Sequence, residues 1–228
     1  MKKLFLLAVL PLMFIGFVGC EKEIDPNLEG ADELHYTTTN NDVVVIDQSY
    51  CGDAQVVSNT YESGSGIIKF NKPLTIVGGF QNNKYIQTVT IPNKVVDINN
   101  HAFSGCNNLE SVVLGNSVTE ICTAAFYNCY KLTNIGLLNV VTIGENAFNG
   151  CKALKEITLP STIKVVGKRA FRNCEALSSV YCKATTPPEV DYDSFDGRFP
   201  TIYVPNSALS MYKSHPEWSN YNLAGYDF

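Results

Sequence analysis

From residue 102 onward the chain repeats one pattern of apolar and polar positions. Residues 102–121 read AFSGCNNLESVVLGNSVTEI, and close copies begin at Ala125, Ala147 and Ala170. Phenylalanine recurs at Phe103, Phe126, Phe148 and Phe171, spaced 23, 22 and 23 residues apart. Three positions after each comes a cysteine (Cys106, Cys129, Cys151, Cys174), then Leu109, Leu132, Leu154 and Leu177, then Val112, Ile135, Ile157 and Val180. An eroded earlier copy carries Phe80, Ile86, Val89 and Ile91, with Asn83 in the cysteine slot. A period of this length and regularity marks a solenoid, in which each unit buries its apolar face only by stacking on its neighbours.

Inside each unit a short stretch alternates. In Leu109-Glu110-Ser111-Val112-Val113-Leu114, residues 112 and 114 share one side of a strand and residues 111 and 113 the other. Copies stacked as parallel strands lie about 4.8 Å apart. The fold class is therefore a β-rich α/β solenoid with a parallel strand ladder. Both open ends of such an array need caps. Ahead of it, Val43–Ile46, Gln55–Tyr61 and Gly66–Phe70 read as strands, with a hairpin loop at Glu62–Gly66. Behind it, Pro187-Pro188 breaks the pattern, Phe195 arrives 24 residues after Phe171, and Thr201–Pro205 copies the strand slot. Asn206 or Ser207 is placed to N-cap a short helix carrying Leu209, Met211 and Tyr212, with Trp218 and Tyr221 completing a lid. The expected organisation is a leader at 1–19, a tether at 20–34, an N-terminal β cap at 35–74, the solenoid at 75–186 and a half-repeat with a short helical cap at 187–228.

The repeated AFxxCxxLxxΦxΦ pattern (Φ apolar) resembles the BspA-type leucine-rich repeat, and the tail TIYVPNSALSMYKSHPEWSNY is similar to the terminal cap of that family in lipoproteins of the Bacteroides group. The resemblance covers roughly residues 75–228. Asn83 in place of cysteine, Gly136 within the third strand and Cys182 in a leucine slot depart from it. It implies an extracellular binding or adhesion protein, with no catalytic residues to carry over.

The N-terminus changes the picture of where such a solenoid would sit. Lys2 and Lys3 precede an apolar run from Leu4 to Val18, too short for a comfortable bilayer span of about 20 residues and laid out as a secretory signal. It ends Phe17-Val18-Gly19-Cys20, similar to a bacterial lipobox with Phe17 where leucine is usual. Cleavage before Cys20 and acylation of its thiol would tie the protein to a membrane, two or more chains being needed for stable anchoring. The alternatives are an ordinary signal peptide cut nearby or an uncleaved anchor. Glu21–Pro26 resembles the acidic tag that sends lipoproteins to the cell surface in the Bacteroides group; the plainer reading is a solvated tether. The expectation is an outer-membrane lipoprotein exposed at the surface, with a periplasm-facing protein as the alternative.

Charge and chemistry narrow the functions further. Without Lys2 and Lys3 the balance is 15 basic against 22 acidic residues, which argues against nucleic acid as a partner. With Cys20 acylated, seven cysteines remain. Those of the repeat should form an inward line, which suits neither the disulfide torsion near 90° nor the tetrahedron of zinc, and so reads as core filler. Cys122 and Cys182 read as core too; Cys51 has no such explanation. His101 shares its slot with Ala124, Asn146 and Arg169, and reads as variable surface. No HExxH, GxSxG, P-loop or CxxC pattern occurs. The expected protein is non-catalytic and has no cofactor. Asp191 and Asp193 read as a solvated loop, with weak calcium binding as the alternative.

The candidate site follows from strand parity. The outward positions, rung by rung, are Thr88 and Thr90, Ser111 and Val113, Asn134 and Gly136, Glu156 and Thr158, Ser179 and Tyr181, then Thr201 and Tyr203. This face is small and neutral at first and aromatic at its C-terminal end. Solenoids present such faces to ligands, and tyrosine is favoured at interfaces. The partner expected there is a protein or a glycan; the competing readings are a merely solvated sheet face and an architectural envelope protein.

Overall fold

The computed structural model describes residues 33–191, 193–195 and 200–228. The leader, the proposed lipidation site Cys20 and nearly all of the expected tether lie outside them. The first described strand lies partly inside the span assigned to the tether. Strand β1 (Glu33–Thr38) alternates strictly, with Leu34, Tyr36 and Thr38 buried. Strands β2 (Val56–Glu62) and β3 (Ser65–Phe70) form a hairpin closed by Ser63 and Gly64, both at positive φ (52° and 86°). That pair of left-handed residues is what a tight two-residue turn requires.

The expected strand at Val43–Ile46 does not form. Val45 is 85% exposed, and the main chain of Val44 is tied to side chains instead: Asn59 Nδ2 donates to its carbonyl at 2.6 Å, and its N–H donates to Tyr36 Oη at 3.3 Å. The apolar run is real, but the main chain of Val44 within it is satisfied without a partner strand.

Each rung of the solenoid then contributes two short strands, not one. In chain order they are β4 (Ile76–Val77) and β5 (Ile86–Thr90), β6 (Asp97–Ile98) and β7 (Ser111–Val113), β8 (Glu120–Ile121) and β9 (Asn134–Ile135), β10 (Thr142–Ile143) and β11 (Glu156–Leu159), β12 (Val165–Val166) and β13 (Ser179–Cys182), β14 (Glu189–Val190) and β15 (Thr201–Pro205). The even-numbered strands from β4 to β14 stack into one parallel six-stranded sheet. This second ladder was not foreseen, because two-residue strands are too short to show alternation.

The odd-numbered ladder carries the outward face. β5, β7 and β9 are parallel, and β5 also pairs antiparallel with β1, so the N-terminal hairpin extends the same sheet. At the other end β11, β13 and β15 are parallel and gain a last strand, β16 (Asn222–Tyr226). The ladder lapses between β9 and β11, beside Gly136, where nothing lies within 4 Å of a would-be Cβ. An exposed glycine contributes no packing and loses the most backbone freedom when held in a strand.

The core crosses that gap without interruption. Phe80, Phe103, Phe126, Phe148, Phe171 and Phe195 are each no more than 1% exposed. Their rings stack at 4.9–5.3 Å between centroids, with interplanar angles of 1–14°. The tight turns holding them form a third wall, knitted by backbone bonds such as Phe103 N to Ala125 O (2.7 Å) and Phe126 N to Ala147 O (2.8 Å).

Two slots of this wall are set by backbone geometry. Two residues after the first five of these phenylalanines stand Asn82, Gly105, Asn128, Gly150 and Asn173, all at φ between 57° and 81°. Glycine and asparagine are the residues that tolerate this region. The alternation has a packing reason as well: a Cβ on Gly150 would lie 2.2 Å from Asn128 Oδ1, and one on Gly105 would lie 2.4 Å from Asn82 Oδ1. The slot two residues before the phenylalanine is left-handed too, at His101, Ala124, Asn146 and Arg169 (φ 54–56°). What reads as variable surface is thus a fixed conformation that four unlike side chains share.

The C-terminal end is closed as a lid. Helix α1 (Leu209–Ser214) follows a 3₁₀ turn at Asn206–Ala208. Neither Asn206 nor Ser207 caps it: the residue before the helix is Ala208, and Asn206 Nδ2 donates to Asp227 Oδ1 at 2.6 Å. Tyr212 is buried, whereas Met211 is 50% exposed. Trp218 and Tyr221 complete the closure. Trp218 is 0% exposed and its Nε1 donates to the Pro188 carbonyl at 2.7 Å.

Candidate binding face

Strand register fixes which side chains meet on the outward face. Thr88 pairs with Ser111, Thr90 with Val113, and Ser111 with Asn134; beyond the gap, Glu156 pairs with Ser179 and Thr158 with Tyr181, and then Ser179 with Thr201 and Tyr181 with Tyr203. The face is continuous as far as Asn134 and resumes at Glu156. Intervening residues point inward: Val89, Val112, Ile135, Ile157, Val180 and Ile202 are buried. The parity expected from the repeat therefore holds.

The face is also longer than expected. On β1, His35 and Thr37 lie beside Thr90 and Thr88, and Thr37 Oγ1 is 2.8 Å from Thr88 Oγ1. Glu33 on the same strand receives Lys69 Nζ at 2.6 Å. Val113 (40% exposed) is an isolated apolar residue on this half.

The C-terminal half holds an aromatic cluster. Tyr181 and Tyr203 stack at 4.9 Å and 13°. Tyr226 lies edge-on to both, at 5.4 and 5.7 Å, and Phe228 packs against Tyr226 at 5.0 Å. Lys183 Nζ sits 6.0 Å from the Phe228 ring centre, within cation–π reach. Tyr226 and Phe228 are 43% and 50% exposed. Partial burial, with Glu156 and the neighbouring tyrosines adding to it, raises the Tyr181 phenol above its ordinary pKa, so it stays neutral and able to donate.

Tyr226 and Phe228 were missed, although the period points to one of them. Tyr203 follows Tyr181 by 22 residues and Tyr226 follows Tyr203 by 23. The lid between hides the continuity, and it also shifts the pairing: Tyr203 stands opposite Ala224, and Tyr226 opposite Pro205.

The remaining chemistry candidates resolve as structure. All seven described cysteines are free thiols. Those of the repeat are more than filler. Cys106, Cys129, Cys151 and Cys174 each donate S–H to the phenylalanine carbonyl of the preceding rung, at 3.0, 3.1, 3.3 and 3.2 Å. Burial pushes the thiols of Cys106 and Cys174 up to about 12 and those of Cys129 and Cys151 well above the ordinary value. Reactive cysteines need the opposite shift. Cys51 is buried with Sγ 3.6 Å from the Gly78 carbonyl, and Cys182 meets Tyr212 Oη at 3.3 Å. Cys122 departs from its expected place in the core: it is half-buried on the even-strand wall, near Glu120 and Asp97. Asp193 is not a solvated loop carboxylate either, being buried with Oδ2 2.9 Å from Arg169 Nε. Among the described residues no group of three or more His, Cys, Asp or Glu is disposed to hold a metal ion.

A family model agrees with this repeat architecture. The family model described as BspA type leucine-rich repeat region matches residues 78–198 in six copies, and the chain belongs to that family. Among solved structures, a leucine-rich repeat protein of T. pallidum is 32% identical over 49% of this chain and 53% of its own, with a TM-score of 0.47. A leucine-rich repeat protein from Bacteroides ovatus is 26% identical over 76% of this chain and 44% of its own (TM-score 0.47), and the pneumococcal vaccine antigen PcpA is 16% identical over 75% and 48% (TM-score 0.49). The chain thus spans about half the length of each of these three proteins. A search of curated proteins found no match.

Proposed function

We propose that this protein is a non-catalytic, lipid-anchored scaffold at the bacterial cell surface, which binds a macromolecular partner along its odd-strand face. The observation that carries the reading is the aromatic cluster of Tyr181, Tyr203, Tyr226 and Phe228 on a sheet face whose other side chains are mostly small and polar. Stiff aromatic rings with a polar tip supply contact area at low entropic cost. The partner favoured is a protein, contacting Tyr181 and Tyr203 at the centre and Glu156, Thr158, Ser179 and Thr201 at the rim. Thr88, Thr90, Ser111, Val113 and Asn134 extend the same face. Acylation of Cys20 would hold the scaffold in the outer membrane, and the leader at 1–19 and the acidic segment after Cys20 are what support that placement. Protection of the protein from protease added to intact cells would instead confine its partners to the periplasm.

The test is a Tyr181→Ala, Tyr203→Ala double variant assayed on a panel of host and neighbouring-cell proteins. Affinity for the captured partner should fall at least tenfold, in line with about 2 kcal/mol or more for an aromatic hot spot. Loss of the stacked pair should lower the melting temperature by no more than about 4 °C. Unchanged affinity would remove these residues from the site. Glycan binding is the second reading. In its favour, the neighbour of Tyr181 on the N-terminal side is Thr158, too small to cover a ring, with Glu156 two residues away as an acceptor. A glycan array run beside the protein panel separates the two.

A further inference from the structure

The apolar run Val43–Ile46, which forms no strand, closes the N-terminal end of the solenoid as a strap. Val44 is buried and tied to Asn59 of β2, and Asp47 N–H donates at 3.0 Å to the carbonyl of Gly79, the residue before Phe80. The strap therefore crosses from the outermost strand to the first turn of the column, over its open end. Val44 and Ile46 face the core, and Val43 and Val45 face out. Val45, at 85%, is the most exposed large apolar side chain among the described residues. Val57 lies beside it. Gln48 Oε1 accepts from Val56 N at 3.1 Å, so strap and strand are joined on both sides of Val45 and of Val57. Val57 is 61% exposed and is the unpaired residue of a bulge, since Val56 pairs with Phe70 and Ser58 with Lys69. A bulge blunts an outermost strand against pairing with another chain. What this end offers is therefore grouped apolar side chains, the mark of an interaction surface.

The course of the chain says what covers them. In the sheet register Glu33, Lys69 and Ser58 stand in one row. Glu33, where β1 starts, is therefore two strands, about 10 Å, from the residue that follows Val57. Cys20 precedes Glu33 by 13 residues, at most about 45 Å of extended chain. An acyl group on Cys20 keeps this end, and not the C-terminal lid, within reach of the bilayer.

We propose that the N-terminal end docks on the membrane surface, with Val43, Val45 and Val57 entering the headgroup layer of a zwitterionic bilayer, so that the solenoid stands on end. The proposal rests on the acylation of Cys20 proposed above. Three valines would not bring a free protein to a bilayer, but for an anchored one the contact is intramolecular. Asp42 and Asp47 flank the strap, while Lys69 and Lys72 are paired with Glu33 and Asp53, a balance that disfavours an anionic lipid surface. Standing on end, the column from Phe80 to Phe195, five steps of 4.9–5.3 Å, lifts the tyrosine cluster clear of the lipid.

The experiment uses the protein as its producing bacterium processes it, in phosphatidylcholine vesicles with and without brominated acyl chains, which quench tryptophan at short range. Acylation is read from the mass and from flotation with the vesicles. Trp218 is buried in the far lid and supplies a constant background. The added fluorescence of Val43→Trp should fall by at least half in brominated vesicles, and that of Tyr203→Trp by less than a tenth. Val45→Asp and Val57→Asp, added to Val43→Trp, should abolish the quenching while flotation and the melting curve stay unchanged, because both side chains are exposed. Equal quenching at Val43→Trp and Tyr203→Trp, or none at either, in protein that floats overturns the docking and leaves the anchor standing. Protein that carries no acyl group and does not float overturns both. End-to-end crosslinked pairs that vanish with Val45→Asp and Val57→Asp would give the surface to a second copy and overturn the docking as well.

Discussion

Replacing Phe126 by alanine is expected to cost about 3–5 kcal/mol, more than any substitution on the strand face. Phe126 is fully buried and stacked on both sides, on Phe103 at 5.3 Å and Phe148 at 5.3 Å. The hole left behind has little room to collapse. Its walls are rungs whose separation is fixed by main-chain bonds, Phe103 N to Ala125 O and Phe126 N to Ala147 O among them. Phe148→Ala should behave alike. Phe80 has a stacked partner on one side only, Phe103 at 4.9 Å, and faces the N-terminal cap on the other. Phe80→Ala should therefore be the mildest of the three. Urea melts of the three variants check the order; equal losses, or the largest at Phe80, would contradict the stacked-column account.

Trp218→Ala is expected to cost a similar amount, about 3–5 kcal/mol, but to spread it unevenly along the molecule. Trp218 packs on Tyr212 at 5.0 Å, Tyr221 at 5.8 Å and Phe195 at 6.2 Å, so it covers the last ring of the column. Its removal leaves the Pro188 carbonyl without its donor and opens the end of the solenoid. In a linear array each rung depends on its neighbours, so the C-terminal rungs should fray first. The expected signature is an early transition in the β13–β15 region ahead of the main unfolding step. Trp218→Phe should recover most of the packing and none of the hydrogen bond, a residual loss of about 1 kcal/mol. A single cooperative melt in Trp218→Ala, with all rungs lost together, would contradict the lid assignment.

What the sequence made legible was whatever repeats as a side-chain property. Phe103 and its copies, the cysteine line and the outward parity of Ser111 or Tyr181 all belong to that class, because burial selects a residue type at each recurrence. Features that repeat only as backbone were hidden. His101, Ala124, Asn146 and Arg169 share a left-handed φ and nothing else, so their slot resembles free surface. Strands β4, β6, β8, β10, β12 and β14 are two residues long, below the length at which alternation shows. β1 escaped notice because its pattern, ELHYTT, mixes histidine and threonine with only two strongly apolar residues, and its partners β3 and β5 lie far along the chain. The reverse error occurred at Val43–Ile46, where an apolar run suggested a strand that side-chain bonds from Tyr36 and Asn59 make unnecessary. The binding face was half legible: Tyr181 and Tyr203 by register, Tyr226 and Phe228 not, since the lid separates them from their rung.

Native-state hydrogen exchange at the amides of Phe103, Phe126 and Phe148 tests the continuous solenoid most directly. Each of these N–H groups donates across a rung, to Ala125, Ala147 and Ala170 at 2.7, 2.8 and 2.8 Å. One unbroken column predicts that all three exchange only on global unfolding, with protection equal to within about 1 kcal/mol on both sides of the lapse between β9 and β11. Exchange of Phe126 or Phe148 at the rate of an open peptide, or in a step separate from Phe103, would show that the column is broken and that the face built on it is not one surface.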